Sequence, residues 1–137
     1  MMPYSIGEVA KMLNLTIPTL RYYDKEGLLP HLERTDSGIR VFNDSDLDTL
    51  KVIECLKVTG MPIKNIKSFI DWCSHGDSTL QQRYDMFLER KAVVEAQLEK
   101  IKKTAETINY KCWYYKTALE AGTESIHKNT EKTISKL

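Results

Sequence analysis

Apolar positions in this chain keep a helical period in several short stretches and one long one. Ile6, Val9, Ala10 and Leu13 recur at i, i+3, i+4 and i+7, which is one face of a short helix. Ser5 stands before them and Glu8 three residues on, so the hydroxyl can cap the helix and the carboxylate can reach back. Asn14-Leu15 interrupts the pattern. Thr16 is the next N-cap, and Pro18 falls in the first turn, where its missing N–H costs little. This second helix is expected to reach about Glu26 and to end at Gly27, with Leu20 and Leu28 in the core. Two short helices joined by a tight turn form a helix-turn-helix.

The period then changes. Leu32-Glu33-Arg34 and Arg40-Val41-Phe42 are short β-prone runs, and Thr35-Asp36-Ser37-Gly38 between them is turn chemistry, so a small hairpin, or wing, is expected. Asn43-Asp44-Ser45-Asp46 caps a third helix marked by Leu47, Leu50, Ile53 and Leu56 and running to about Thr59. After Gly60-Met61-Pro62, a fourth helix is marked by Ile63, Ile66, Phe69, Ile70 and Cys73, all expected to pack inward. His75-Gly76-Asp77 ends it.

From Thr79 to Leu119 there is neither Gly nor Pro in 41 residues. Leu80, Tyr84, Phe87, Lys91, Val94, Leu98, Ile101, Ala105, Ile108, Cys112, Tyr115 and Leu119 alternate spacings of four and three. That is the seam of a coiled coil, with Lys91 its one charged position. At about 1.5 Å per residue such a helix is roughly 60 Å long, too long for the preceding residues to cover. A second copy of the chain is the economical partner, with Phe87, Val94, Leu98, Ile101, Ala105 and Ile108 as dimerisation residues. Residues 122–137 are polar and aperiodic and are expected to be a disordered tail.

Composition narrows the picture. In 137 residues, 42% hydrophobic content suffices for one compact domain plus an extension. No apolar run approaches the ~18–20 residues of a membrane span, and Met1-Met2-Pro3-Tyr4 lacks a signal pattern, so a cytoplasmic protein is expected. Cys55, Cys73 and Cys112 are an odd, dispersed set, better suited to a reducing compartment than to disulfides. Net charge is only +1, and no segment is strongly basic. A nucleic-acid function therefore rests on where individual basic residues sit. His31, His75 and His127 are scattered, and neither a carboxylate pair nor a Gly-rich phosphate loop is present, which disfavours an enzyme. No CxxC pair supports a metal site, and no cofactor is expected.

The first turns of the second helix carry the chemistry. Thr16, Thr19, Arg21 and Tyr22 lie at the end that a recognition helix places in the major groove. Hydroxyls can bond base edges or phosphates, and Arg21 offers a forked donor. Adjacent helical positions point about 100° apart, so one of Tyr22 and Tyr23 faces inward.

Particular residues make the order of elements specific. Ile6-Gly7-Glu8-Val9-Ala10, Leu20-Arg21-Tyr22-Tyr23-Asp24-Lys25-Glu26-Gly27-Leu28-Leu29, Gly38-Ile39-Arg40 and Gly60-Met61-Pro62 resemble the MerR family of bacterial transcription regulators. The resemblance covers about residues 4–75. It implies an all-α fold with a small β-wing: a winged helix-turn-helix domain over residues 1–76, then a long antiparallel coiled-coil dimerisation helix over 77–121. It also implies a homodimer on double-stranded promoter DNA, acting on bacterial RNA polymerase there, commonly by distorting an overlong spacer. Arg21, Tyr22 or Tyr23, Arg40 and Lys57 match the family's backbone-contacting positions. Where the family often has Tyr, this chain has Ile39. Cys55 matches the proposed sensor of a subgroup that answers electrophiles and aldehydes. About 15 polar residues after the long helix are too few for a ligand pocket of ~300 Å³, so a multidrug-type domain is not expected. The competing readings are a metal-responsive member of the family and a coiled-coil adaptor that binds protein rather than DNA.

Overall fold

The computed structural model describes residues 3–128. Helix α1 spans Ile6–Leu13 and α2 spans Ile17–Lys25. A hairpin of β1, Glu33–Arg34, and β2, Arg40–Val41, follows. Then come α3, Asp44–Val58, α4, Ile63–Ser74, and the 42-residue α5, Leu80–Ala121. Short 3₁₀ turns at Gly76–Thr79 and Glu124–His127 flank α5.

Local chemistry sets these boundaries. Ser5 and Glu8 form the reciprocal capping box at α1, and Asn43 and Asp46 form another at α3. Each satisfies two backbone N–H groups that the first turn leaves without partners. Thr16 caps α2 by accepting from the Thr19 N–H, and Pro18 occupies the first turn. Gly27, at φ +82°, turns the chain out of α2; a Cβ there would also meet the Lys67 side chain at 3.0 Å.

The chain gathers into two compact units, Met1–Arg90 and Lys91–Leu137. In the first, Val9, Leu20, Tyr23, Leu28, Phe42, Leu50, Ile53, Leu56 and Ile66 form the buried centre, drawn from α1 to α4 and the wing. Tyr4 pairs with Phe42 as an isolated antiparallel bridge and ties the N-terminus to the wing. The first turns of α5 belong to this unit. Phe87 meets Phe69 of α4 edge-to-face at 5.4 Å, and Arg90 Nη1 donates to the Thr59 hydroxyl at 3.3 Å.

In the second unit, the chain after α5 folds back on the helix. Gly122 reverses it at φ +76°, and Thr123 caps the 3₁₀ turn. His127 is buried and stacks on Tyr114 at 4.3 Å. Its Nε2 lies 3.0 Å from the Tyr114 carbonyl and 2.6 Å from the Thr117 hydroxyl.

Two expectations change here. Residues 122–128 are not a loose tail: His127 finds an aromatic seat and polar partners on α5. The remainder of that expected tail lies outside the described residues. Cys73 is exposed rather than packed inward. It sits one residue from the end of α4 and lines the edge of a groove whose walls include Leu29, Val52, Phe69 and Ile70.

Candidate nucleic-acid interface

Helix α2 presents opposite faces to core and solvent. Leu20 and Tyr23 point inward, while Arg21 and Tyr22 are exposed. Of the two adjacent tyrosines, Tyr23 is 1% exposed and Tyr22 46%. The Tyr23 hydroxyl donates to Glu54 Oε2 at 2.5 Å and accepts from the Lys57 ammonium at 2.6 Å. The same ammonium lies 5.1 Å from the Tyr23 ring centre and 3.9 Å from Glu54. Burial, and then the Glu54 carboxylate, push the Tyr23 hydroxyl pKa well above its usual value. Two residues of α3 thus hold the recognition helix by its one buried tyrosine. Lys57 contributes to that grip, and Tyr23 keeps its hydroxyl inside the protein.

Thr16 and Thr19 stand at the entrance of α2, with their hydroxyls 2.7 Å apart. Both serve the cap while remaining wholly or partly solvent-accessible.

The wing closes against the other side of α2. Arg34 and Arg40 are direct cross-strand partners in the hairpin. Like charges opposite one another in a ladder repel. Asp24 relieves this: its Oδ2 accepts from Arg34 Nη2 at 2.6 Å and from Arg40 Nε at 2.7 Å. The space between helix and hairpin is an open depression of about 440 Å³ lined by Pro18, Arg21, Tyr22, Asp24, Lys25, Arg34 and Arg40. Four cations and one carboxylate border it. A chain of net charge +1 thereby acquires a locally basic surface fitted to a polyanion.

Sequence reading reached Arg21, Tyr22 and Arg40 but not Arg34, Lys25 or Asp24. A signal was present. The turn from Thr35 to Ile39 fixes the register that sets Arg34 against Arg40, and such a pair calls for a nearby carboxylate.

Cys55 lies exposed on α3 between Glu54 and Lys57, the two residues that grip Tyr23. Cys112 is exposed on α5 at its seam position. Phe87, Val94, Leu98, Ile101 and Ile108 are exposed as well, so among the described residues the apolar seam is largely uncovered, although one side of Phe87 meets Phe69. Among the described residues, no cluster of three or more His, Cys, Asp and Glu could hold a metal ion, and no helix is long and apolar enough to cross a membrane.

A helix-turn-helix, a wing braced against it and a basic depression between them define a winged helix-turn-helix DNA-binding protein. Residues 4–71 match the model of the MerR HTH family regulatory proteins. An uncharacterized HTH-type transcriptional regulator of Haemophilus influenzae is 37% identical over 121 residues, covering 88% of this chain and 90% of that protein. The crystal structure of HiNmlR, a MerR family regulator lacking the sensor domain, bound to promoter DNA, superposes with a TM-score of 0.83 at 36% identity, covering 91% of this chain and 99% of that one. A MerR family regulator from Bacillus thuringiensis is 47% identical, with a TM-score of 0.75 over 81% of this chain and 97% of its own. This chain belongs to the MerR family and is a DNA-binding transcription regulator.

Proposed function

We propose that this regulator acts in the cytoplasm as a homodimer on duplex promoter DNA, with RNA polymerase as the machinery it influences. The observation that carries this reading is the convergence of Arg21, Lys25, Arg34 and Arg40 on one depression between recognition helix and wing. A phosphate strand laid there meets four cations. Tyr22 borders the same depression, Thr16 and Thr19 stand at the start of the same helix, and Tyr23 and Lys57 are the struts behind it. The promoter complex of HiNmlR supports the reading by likeness.

The α5 seam supports the dimer. Its 4-3 spacing is self-complementary about a point midway between Leu98 and Ile101. An antiparallel second copy centred there sets Leu98 against Ile101, Val94 against Ala105, Lys91 against Ile108 and Phe87 against Cys112. That geometry covers the exposed apolar seam positions and joins two recognition helices in one assembly.

A labelled promoter duplex titrated at several salt concentrations tests the function. Log affinity should fall linearly with log salt. Because each protomer supplies one Arg21, Arg21→Ala should reduce the slope by about 2 per dimer. Weak, salt-insensitive binding that ignores sequence would instead favour the protein-binding adaptor.

The signal we assign to Cys55 is an electrophile such as an aldehyde. Its thiol is exposed, and its neighbours in sequence hold the recognition helix. Addition of the thiolate sulfur to an aldehyde carbonyl, with the proton passing to the carbonyl oxygen, gives a hemithioacetal. Added bulk on this turn of α3 reaches the segment that positions Tyr23. Promoter output with and without formaldehyde or methylglyoxal should respond in the wild type and not in Cys55→Ser. An undiminished response in the variant rules Cys55 out.

A further inference from the structure

Asp24 is an acidic residue in the middle of a basic surface. Taken as charge alone, it works against binding a polyanion. Its geometry suggests a different account. Its side chain is only 14% exposed, and a single oxygen receives both wing arginines, one from each strand. Arg40 donates through Nε, the inner nitrogen of its guanidinium, and is itself one of the residues lining the depression. Arg34 donates through one terminal nitrogen. Among the described residues the two-residue strands pair with one another, and Tyr4 bridges Phe42 just past the second strand; the Asp24 carboxylate is the tie that joins both strands to the recognition helix. Two strands of two residues are marginally stable by themselves, so side-chain ties add to what the backbone ladder provides.

We propose that Asp24 is a positioning residue for DNA reading: it sets the wing arginines at a fixed distance from Arg21 and Lys25, so that one phosphate strand meets all four cations in a preformed arrangement. The inference rests on the DNA-binding function above and adds a specificity role that charge alone opposes. Preformed arginines lose less freedom on binding, and only a duplex whose backbone follows their spacing collects every contact.

The two accounts predict opposite signs. Removing a negative charge from a basic surface strengthens binding to any duplex. Removing a brace weakens binding to the fitted duplex alone. The full-length dimer would first select its preferred duplex from a random-sequence pool. Affinity would then be measured for that duplex and for a scrambled duplex of equal length. Asp24→Asn should bind the selected duplex about tenfold more weakly, consistent with the loss of charge-assisted hydrogen bonds, and the scrambled duplex as well as or better than wild type. Asp24→Glu, which keeps a carboxylate, should recover part of the ratio. Arg34→Ala removes one arm of the brace, so combining it with Asp24→Asn should cost less than the product of the single losses.

An Asn variant that binds the selected duplex as tightly as wild type, with its specificity ratio intact, overturns the role of Asp24. Losses that simply multiply in the double variant do the same. A wild-type chain with no preference among duplexes overturns the DNA-reading function itself, and this inference with it.

Discussion

Tyr22 and Tyr23 are chemically identical neighbours with different duties, and the difference lies in what faces them. Tyr23 meets Glu54 and Lys57 of α3 and is sealed between them, whereas Tyr22 meets solvent. The consequence is measurable as proton linkage. Folding raises the Tyr23 pKa above its ordinary value of 10.0. Its contribution to stability is therefore fully present below about pH 10 and is lost as pH rises toward the folded-state value, because above pH 10 the unfolded chain binds fewer protons. Thermal melts should show stability falling above pH 10, with a shallower fall in Tyr23→Phe. In an absorbance titration of the seven tyrosines, one should ionise last, and Tyr23→Phe should remove that step. A variant with the same late step would place the buried hydroxyl elsewhere. Sequence reasoning could say that one of the pair turns inward, since helical geometry requires it. Which one depends on α3, whose register against α2 no local pattern encodes.

Elements differ in how far their own residues define them. Helices α1 and α3 announce themselves through capping boxes, and α5 through its seam and its lack of Gly and Pro. The last 3₁₀ turn does not. A single turn has no period, and its hold comes from His127 seating on Tyr114 and Thr117. Cys73 errs the other way: its spacing is that of a core residue, but the packed face gives out before the helix does. For α5 the exposure of Leu98, 67%, and of Ile101, 65%, fits the proposed dimer interface. Leu98→Glu would set a carboxylate against Ile101 of the second copy. An unpaired buried charge costs roughly 3–5 kcal/mol, so the dimer should weaken by more than a hundredfold. Sedimentation should show a monomer at concentrations where the wild type is dimeric, with helix content of the N-terminal unit retained. A dimer of unchanged strength would place the interface elsewhere.

At the scale of the whole molecule, the proposed dimer would link DNA reading to self-association. One protomer offers one basic depression, and the proposed dimer would engage two at once, making the second contact at high effective concentration. The same Leu98→Glu variant should therefore lose affinity for a two-half-site promoter duplex, and its salt slope should fall to about half, as one protomer neutralises half the phosphates. Affinity for an isolated half-site should be little changed. An intact slope in a monomeric variant would mean that one protomer carries all the phosphate contacts.

The order of elements, the caps, the turn chemistry, the seam and the family resemblance are all local or periodic features, and the sequence alone determined them. Helix and hairpin signals act over a few residues, so they survive in one dimension. The basic depression is different. Arg21 and Lys25 lie one turn apart on α2 and Arg34 faces Arg40 across the hairpin, but only the folding of the hairpin onto α2 brings the two pairs together. The same holds for Asp24 between two arginines and for Glu54 and Lys57 around Tyr23. Each is a contact between different elements, decided by how those elements pack, and tertiary structure alone turns dispersed charges into one basic surface.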